Sequence, residues 1–227
     1  MARSQLLIDA VSGKETLETM FLRLKVVLSD LESENIMNWV NGELEGYKPD
    51  EILPPYRIMK GVITGDYLLN FNFPRNNQPV PLGYLISKEE INKLQMLHIR
   101  DGIGTLQSFV NGEKEKHYGI TLSTEYCSEI SIDEIQIAGM RVTAPSNRLT
   151  GIISQVKTKL VDVIMELEKE FQNLDELDIR TQVKENNSIV QIITHIEKII
   201  YDNSIDIGDN NKFTKSSIGN SFGENKE

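Results

Sequence analysis

The stretch NWVNGELEGYKPDEILPPYRIMKG (38–61) contains a helix end, a Gly-Tyr stop, a diproline and the Tyr-Arg start of a strand in close succession. Upstream of it the chain has helical periodicity, and downstream it becomes rich in β-branched and aromatic residues, so these residues mark the joint of an α+β fold. Trp39 and Tyr47 are large amphipathic rings, and Arg57 on the first strand is within reach of Glu43 or Glu45 on the preceding helix. A helix-to-sheet junction locked by aromatic packing and one ion pair accounts for the pattern. A functional surface built from the same Tyr and Arg residues is the alternative. On the first reading Trp39, Tyr47, Tyr56 and Arg57 are at least partly buried and fix a helical hairpin against the sheet.

Working back toward the N-terminus, Leu17, Met20, Phe21, Leu24, Val27, Leu28 and Leu31 recur at three and four and paint one face of a helix. Ser33 is positioned to cap a second helix whose face carries Ile36, Val40 and Leu44, and Gly46 stops it. Residues 4–11 add a preceding helical turn or two. Working forward, YRIMKGVI (56–63) and DYLLNFNF (66–73) predict a β-hairpin around a Thr64-Gly65 turn. PRNNQPVPLG (74–83) predicts a loop, because its three prolines exclude a regular element. Ser87 with Glu90 is a capping box for a helix running to about Arg100 with Ile91, Leu94 and Leu97 on one face. A short helix through Leu106, Phe109 and Val110 follows, then strands at YGITLST (118–124) and EIQIAGMRVT (134–143).

The C-terminal part changes character. Ile153, Val156, Leu160, Val163, Leu167 and Phe171 form a seam like that of a coiled coil, and Ile189, Ile193, Ile196 and Ile200 a second one. The two helices either pack on each other or on a second chain, and self-association is the expectation. The chain thus divides into an α+β domain at 1–148, an amphipathic helical segment packed on it at 149–203, and a mobile polar tail at 204–227. The fold class is α+β: an N-terminal helical hairpin, a small, mainly antiparallel sheet with a helix, and long C-terminal amphipathic helices.

Composition narrows the function classes. The formal charge is −10, from 34 acidic against 24 basic residues, so a phosphate backbone is repelled and nucleic acid is an unfavourable partner. Cys127 is the single cysteine, which excludes an intrachain disulfide and suits a reducing cytoplasm. The opening MARSQLLIDAVSGKE has no long apolar run of the signal-peptide kind, and no segment approaches the roughly 20 apolar residues of a membrane span. His98, His117 and His195 lie on separate elements outside any metal-ligand spacing, GIG at 102–104 is no phosphate loop, and no GxSxG occurs. Cys127 reads as a core residue of a strand-like region. Asp162, Glu166, Glu168, Glu170, Asp175, Glu176 and Asp178 read as a solvated helix face. No cofactor or metal is expected, and no catalytic residue is assigned.

Trp39, Val40, Glu43, Leu44, Gly46, Tyr47, Pro55, Tyr56 and Arg57 form a pattern that resembles the AbiTii domain of bacterial abortive-infection proteins. LIDAVSGKETLETMFLRLKVVLSDLES (7–33) is similar to the family's opening, and the helix from Leu149, closing in Leu-Glu-Lys-Glu at 167–170, resembles its later helix. The resemblance is strong over roughly the first 70 residues and looser to about residue 170. It implies a role in phage defence, in which an infected cell stops growing or dies before progeny emerge, and it implies no reaction. Trp39, Glu43, Tyr47, Tyr56 and Arg57 are then the candidate interaction residues. The expected partner is a second defence protein, a phage component or another copy of the chain. The competing expectation is a growth-arresting toxin, a Mg-dependent nuclease or nucleotide hydrolase using acidic residues.

Overall fold

The computed structural model describes residues 3–112 and 117–201. The tail expected at 204–227 lies outside them. Helix α1 (Gln5–Ser12) is capped by Ser4, whose Oγ accepts the Leu7 N–H at 3.1 Å, and is closed by Gly13 at φ 68°. Ser33 caps α3 (Glu34–Glu45) as its position predicts, and Thr16, which the sequence reading did not single out, caps α2 (Leu17–Ser29), so the predicted helical hairpin forms. A single 3-10 turn at Pro55–Arg57 leads into β1 (Ile58–Lys60), followed by β2 (Val62–Leu69), β3 (Phe73–Pro79), α4 (Lys88–Leu94) and β4 (Met96–His98). Then come α5 (Ile103–Val110), β5 (His117–Thr121), α6 (Thr124–Glu129), β6 (Ile135–Pro145), α7 (Ser146–Glu170), α8 (Arg180–Glu185) and α9 (Ile189–Tyr201).

The main sheet is antiparallel in the order β3-β2-β6-β5, and β1 pairs separately with β4. Its inner face carries Ile63 and Tyr67 of β2 with Ile137, Met140, Val142 and Ala144 of β6, all buried. Four expectations are corrected here. Thr64 and Gly65 are not a turn: they lie inside β2, and the hairpin turns at residues 70–72. Gly65 is there because β6 runs close beneath it, where a Cβ would stand 2.5 Å from the Gly139 carbonyl oxygen, and a bulge follows between Asp66 and Tyr67. Residues 73–79 are a strand rather than a loop, because β3 is a sheet edge and prolines are tolerated where no ladder N–H is required. The helix from Ser87 stops at Leu94 instead of reaching Arg100, since residues 96–98 pair with β1 (Met59 opposite Leu97) and Leu97 is buried there. Finally, the strand at 118–124 ends at Thr121, and Ser123 caps α6, which places Cys127 on a buried helical face.

Helix α7 follows β6 directly at Pro145 and packs on α1, α2, α5 and α9. Its Leu149, Ile152, Val156, Leu160, Val163, Ile164 and Leu167 are buried, as are Ile192, Ile196 and Ile200 of α9. The seam read as a possible interchain stripe is therefore covered by the chain itself. Polar contacts close the package. The Ser4 N–H donates to Glu168 Oε1 at 2.7 Å and the Leu6 N–H to Asp175 Oδ1 at 3.2 Å, tying α1 to the end of α7 and the turn beyond it. Glu197 on α9 accepts from Ser33 and Asn35 at 3.1 Å each, and His195 Nδ1 meets Glu166 Oε1 at 2.9 Å. Among the described residues no helix is long and apolar enough to cross a membrane.

Truncating Leu160, which is fully buried between α7 and its neighbours, tests whether the seam is internal. Leu160→Ala is expected to cost about 2–5 kcal/mol in urea unfolding, through lost transfer energy and the cavity left behind. Light scattering should show the same mass for the variant as for the parent.

Candidate functional site

The five motif residues converge on one carboxylate. Glu43 stands on the last turn of α3 and is fully buried, as is Arg57 at the end of the 3-10 turn. Glu43 Oε2 accepts a short contact from Arg57 Nη2, while Oε1 accepts from Arg57 Nε at 3.1 Å, from the Tyr47 hydroxyl at 2.8 Å and from the Tyr56 hydroxyl at 2.9 Å. The Tyr56 hydroxyl in turn accepts from Trp39 Nε1 at 2.8 Å. Arg57 uses Nη1 to reach the Asp101 carbonyl at 2.8 Å and lies 5.5 Å from the centre of the Tyr47 ring. The buried carboxylate thus accepts four hydrogen bonds, three at Oε1 and one at Oε2, so neither oxygen is left without a donor. A buried charge is tolerated on these terms.

The electrostatics follow from this. Burial pushes the Tyr47 and Tyr56 phenols well above their ordinary value, and the Glu43 carboxylate adds to it by opposing a second negative charge. Burial alone would lower the Arg57 guanidinium, but Glu43 outweighs it and holds the group above its usual value. Trp39 is enclosed, and its ring meets Phe21 of α2 edge-on with centroids 5.2 Å apart, so the network also anchors the helical hairpin.

Glycines let the backbone close over this centre. A Cβ at Gly42 would come within 2.3 Å of the Tyr47 ring, so the ring folds back onto α3 only because that position is bare. Gly46 has φ 98°, where a side chain is strained, and releases the chain so that the Tyr47 N–H reaches the Arg100 carbonyl at 2.7 Å. Asp101 and Gly102, ahead of α5, complete the junction, and the Asp101 carboxylate accepts from the Tyr118 hydroxyl. Sequence reading missed Asp101, Gly102 and Tyr118. They join the centre from distant positions, and the only local sign was a Gly after an Asp between two elements.

The geometry thus brings Trp39, Glu43, Tyr47, Tyr56 and Arg57 together in the interior, with Tyr47 and Tyr56 at most 6% exposed. The remaining sequence candidates do not gather. His98 is exposed on β4, His195 pairs with Glu166, and the side chain of His117 lies outside the described residues. Among the described residues no group of three His, Cys, Asp or Glu side chains is placed to hold a metal ion.

Fold and junction define an α+β domain in which a helical hairpin is bolted to a sheet by a buried Trp-Glu-Tyr-Tyr-Arg lock. The AbiTii family model matches residues 4–192, and the chain belongs to that family, which places it with abortive-infection phage defence. The match extends past the residue 170 reached by sequence reading and ends inside α9. No curated protein and no solved structure matches the chain significantly.

Two measurements check the lock. Glu43→Gln leaves the Arg57 charge buried without its counterion and is expected to lose about 3–5 kcal/mol, and Glu43→Leu combined with Arg57→Met is expected to recover part of that loss. The pH dependence has a definite sign. A tyrosine whose folded pKa is raised keeps its proton longer folded than unfolded, so stability is intact below the ordinary value of about 10 and falls as pH rises above it. Tyr118 behaves like Tyr47 and Tyr56, being pushed up by burial and then by Asp101, and burial first also raises Tyr126 and Tyr201 to about 12. Spectrophotometric titration is expected to show delayed tyrosine ionisation that reverts to ordinary behaviour once the chain unfolds.

Proposed function

We propose that this chain serves abortive infection as an interaction protein, binding a partner effector or a phage component, rather than as an enzyme. The observation that carries this reading is the internal consumption of the motif chemistry. Every ionisable group of the family pattern bonds another member of the pattern, and none extends into solvent to meet a substrate. The raised phenols of Tyr47 and Tyr56 are poor general bases at neutral pH. A Mg-dependent toxin calls for carboxylates converging in a cleft. The acidic run at 162–178 instead divides between neighbouring contacts: Glu166 to Lys169 and His195, Glu168 to Arg3 and Ser4, Asp175 to Leu6.

Deleting the chain from a protected host is expected to restore phage plating, while the pure protein turns over neither nucleotides nor nucleic acid. Unchanged plating overturns the defence role. Turnover by the pure protein, abolished by substituting a single acidic residue, overturns the non-enzymatic reading.

A further inference from the structure

The β2–β3 hairpin has a feature that the fold itself does not use. Its turn, closed by the Asn72 N–H to the Leu69 carbonyl at 3.2 Å, has both central residues in the left-handed region, Asn70 at φ 46° and Phe71 at φ 63°. Turns of this kind take Asn then Gly, because only glycine occupies the second position without strain. Here a phenylalanine stands there, 58% exposed, with Phe73 equally exposed beside it. Burial within the chain does not offset the strain, and β3 has no buried residue at all. A bulky residue held in strain on an open tip points to a use outside the monomer.

We propose that this tip is a self-association surface on which two copies of the chain dock across a two-fold axis, Phe71 and Phe73 of one copy entering the recess beside the hairpin of the other. The recess, of about 470 Å³, is lined by Leu68, Ile132, Asp133, Gln136 and Ile137 among others. It adjoins the tip, because the Asn70 N–H donates to the Glu134 carbonyl at 2.9 Å. Knob and recess on one end of the molecule are what an isologous contact requires. The charges agree. Arg75 is the single charged residue of 67–87, and Asp133 and Glu134 flank the recess; none of the three makes a side-chain ion pair among the described residues. In a chain of net charge −10, a stretch from 67 to 87 without a carboxylate lowers the repulsion between two copies that meet there, and Arg75 of one copy is an opposite charge for Asp133 and Glu134 of the other. Pro74 and Pro79 on the edge strand oppose sheet extension, so the contact runs through side chains. The inference is independent of the partner reading above.

Light scattering on the full chain, from micromolar concentration upward, is the test, with Phe71→Gly as the decisive variant. The parent is expected to reach twice the monomer mass and Phe71→Gly to remain monomeric. Glycine also relieves the turn, so at dilutions where both proteins are monomeric the variant is expected to melt higher by about 2–4 °C. Gain of stability with loss of association separates a surface role from a folding role. Phe73→Ser should likewise weaken association, and Arg75→Glu should do so until Asp133→Lys is added. A parent that stays monomeric throughout, or a Phe71→Gly protein that dimerises as the parent does, overturns the proposal.

Discussion

Two opposite charges, those of Glu43 and Arg57, are sealed in the interior at the point where helices give way to sheet, and the rest of the molecule is arranged around keeping them satisfied. Such a pair is no certain gain in stability, since desolvation opposes the attraction and apolar substitutes often do as well. What it provides is geometry. The forked guanidinium accepts one orientation of the carboxylate, and the two phenols accept one position of the α3 terminus relative to the 3-10 turn. Through Nη1 of Arg57 the same centre fixes the approach to α5. Two neighbouring elements and a third 44 residues further along the chain are registered by one side-chain cluster, and the bare positions at Gly42 and Gly46 let the backbone come close enough.

Much of this was legible because the cues are local. Ser33 before an apolar period, Ser87 three residues ahead of Glu90, and a Trp-Glu-Gly-Tyr helix end ahead of Tyr-Arg each state their role within a few residues. The failures share a different cause. Gly65 is needed for the approach of Gly139, Leu97 leaves a helical pattern to pair opposite Met59, and Pro74 and Pro79 fall on an edge only because β3 ends the sheet. Each depends on a partner far along the chain that periodicity does not contain. Helix α6 was hidden by its brevity, its Ser123 cap lying inside what reads as a strand.

The C-terminal helices illustrate how an apolar stripe misleads when read alone. A seam of Val156, Leu160, Val163 and Leu167 suits a second chain as well as its own, and only the placement of α1, α2, α5 and α9 around α7 decides the matter. With that stripe enclosed, exposed apolar surface is found instead at positions such as Phe71 and Phe73, which carry no helical period.

The polar ties of α1 have a consequence for biosynthesis. Its first turn is completed by Glu168 and Asp175, residues that leave the ribosome more than a hundred and sixty positions later. At roughly 5–20 residues per second this separation amounts to several seconds or more of translation, during which Leu6, Leu7 and Ala10 lack the α7 surface that buries them. Helix α1 is thus made well before the surface that seats it, and its packing waits until α7 and the turn beyond it have been synthesised.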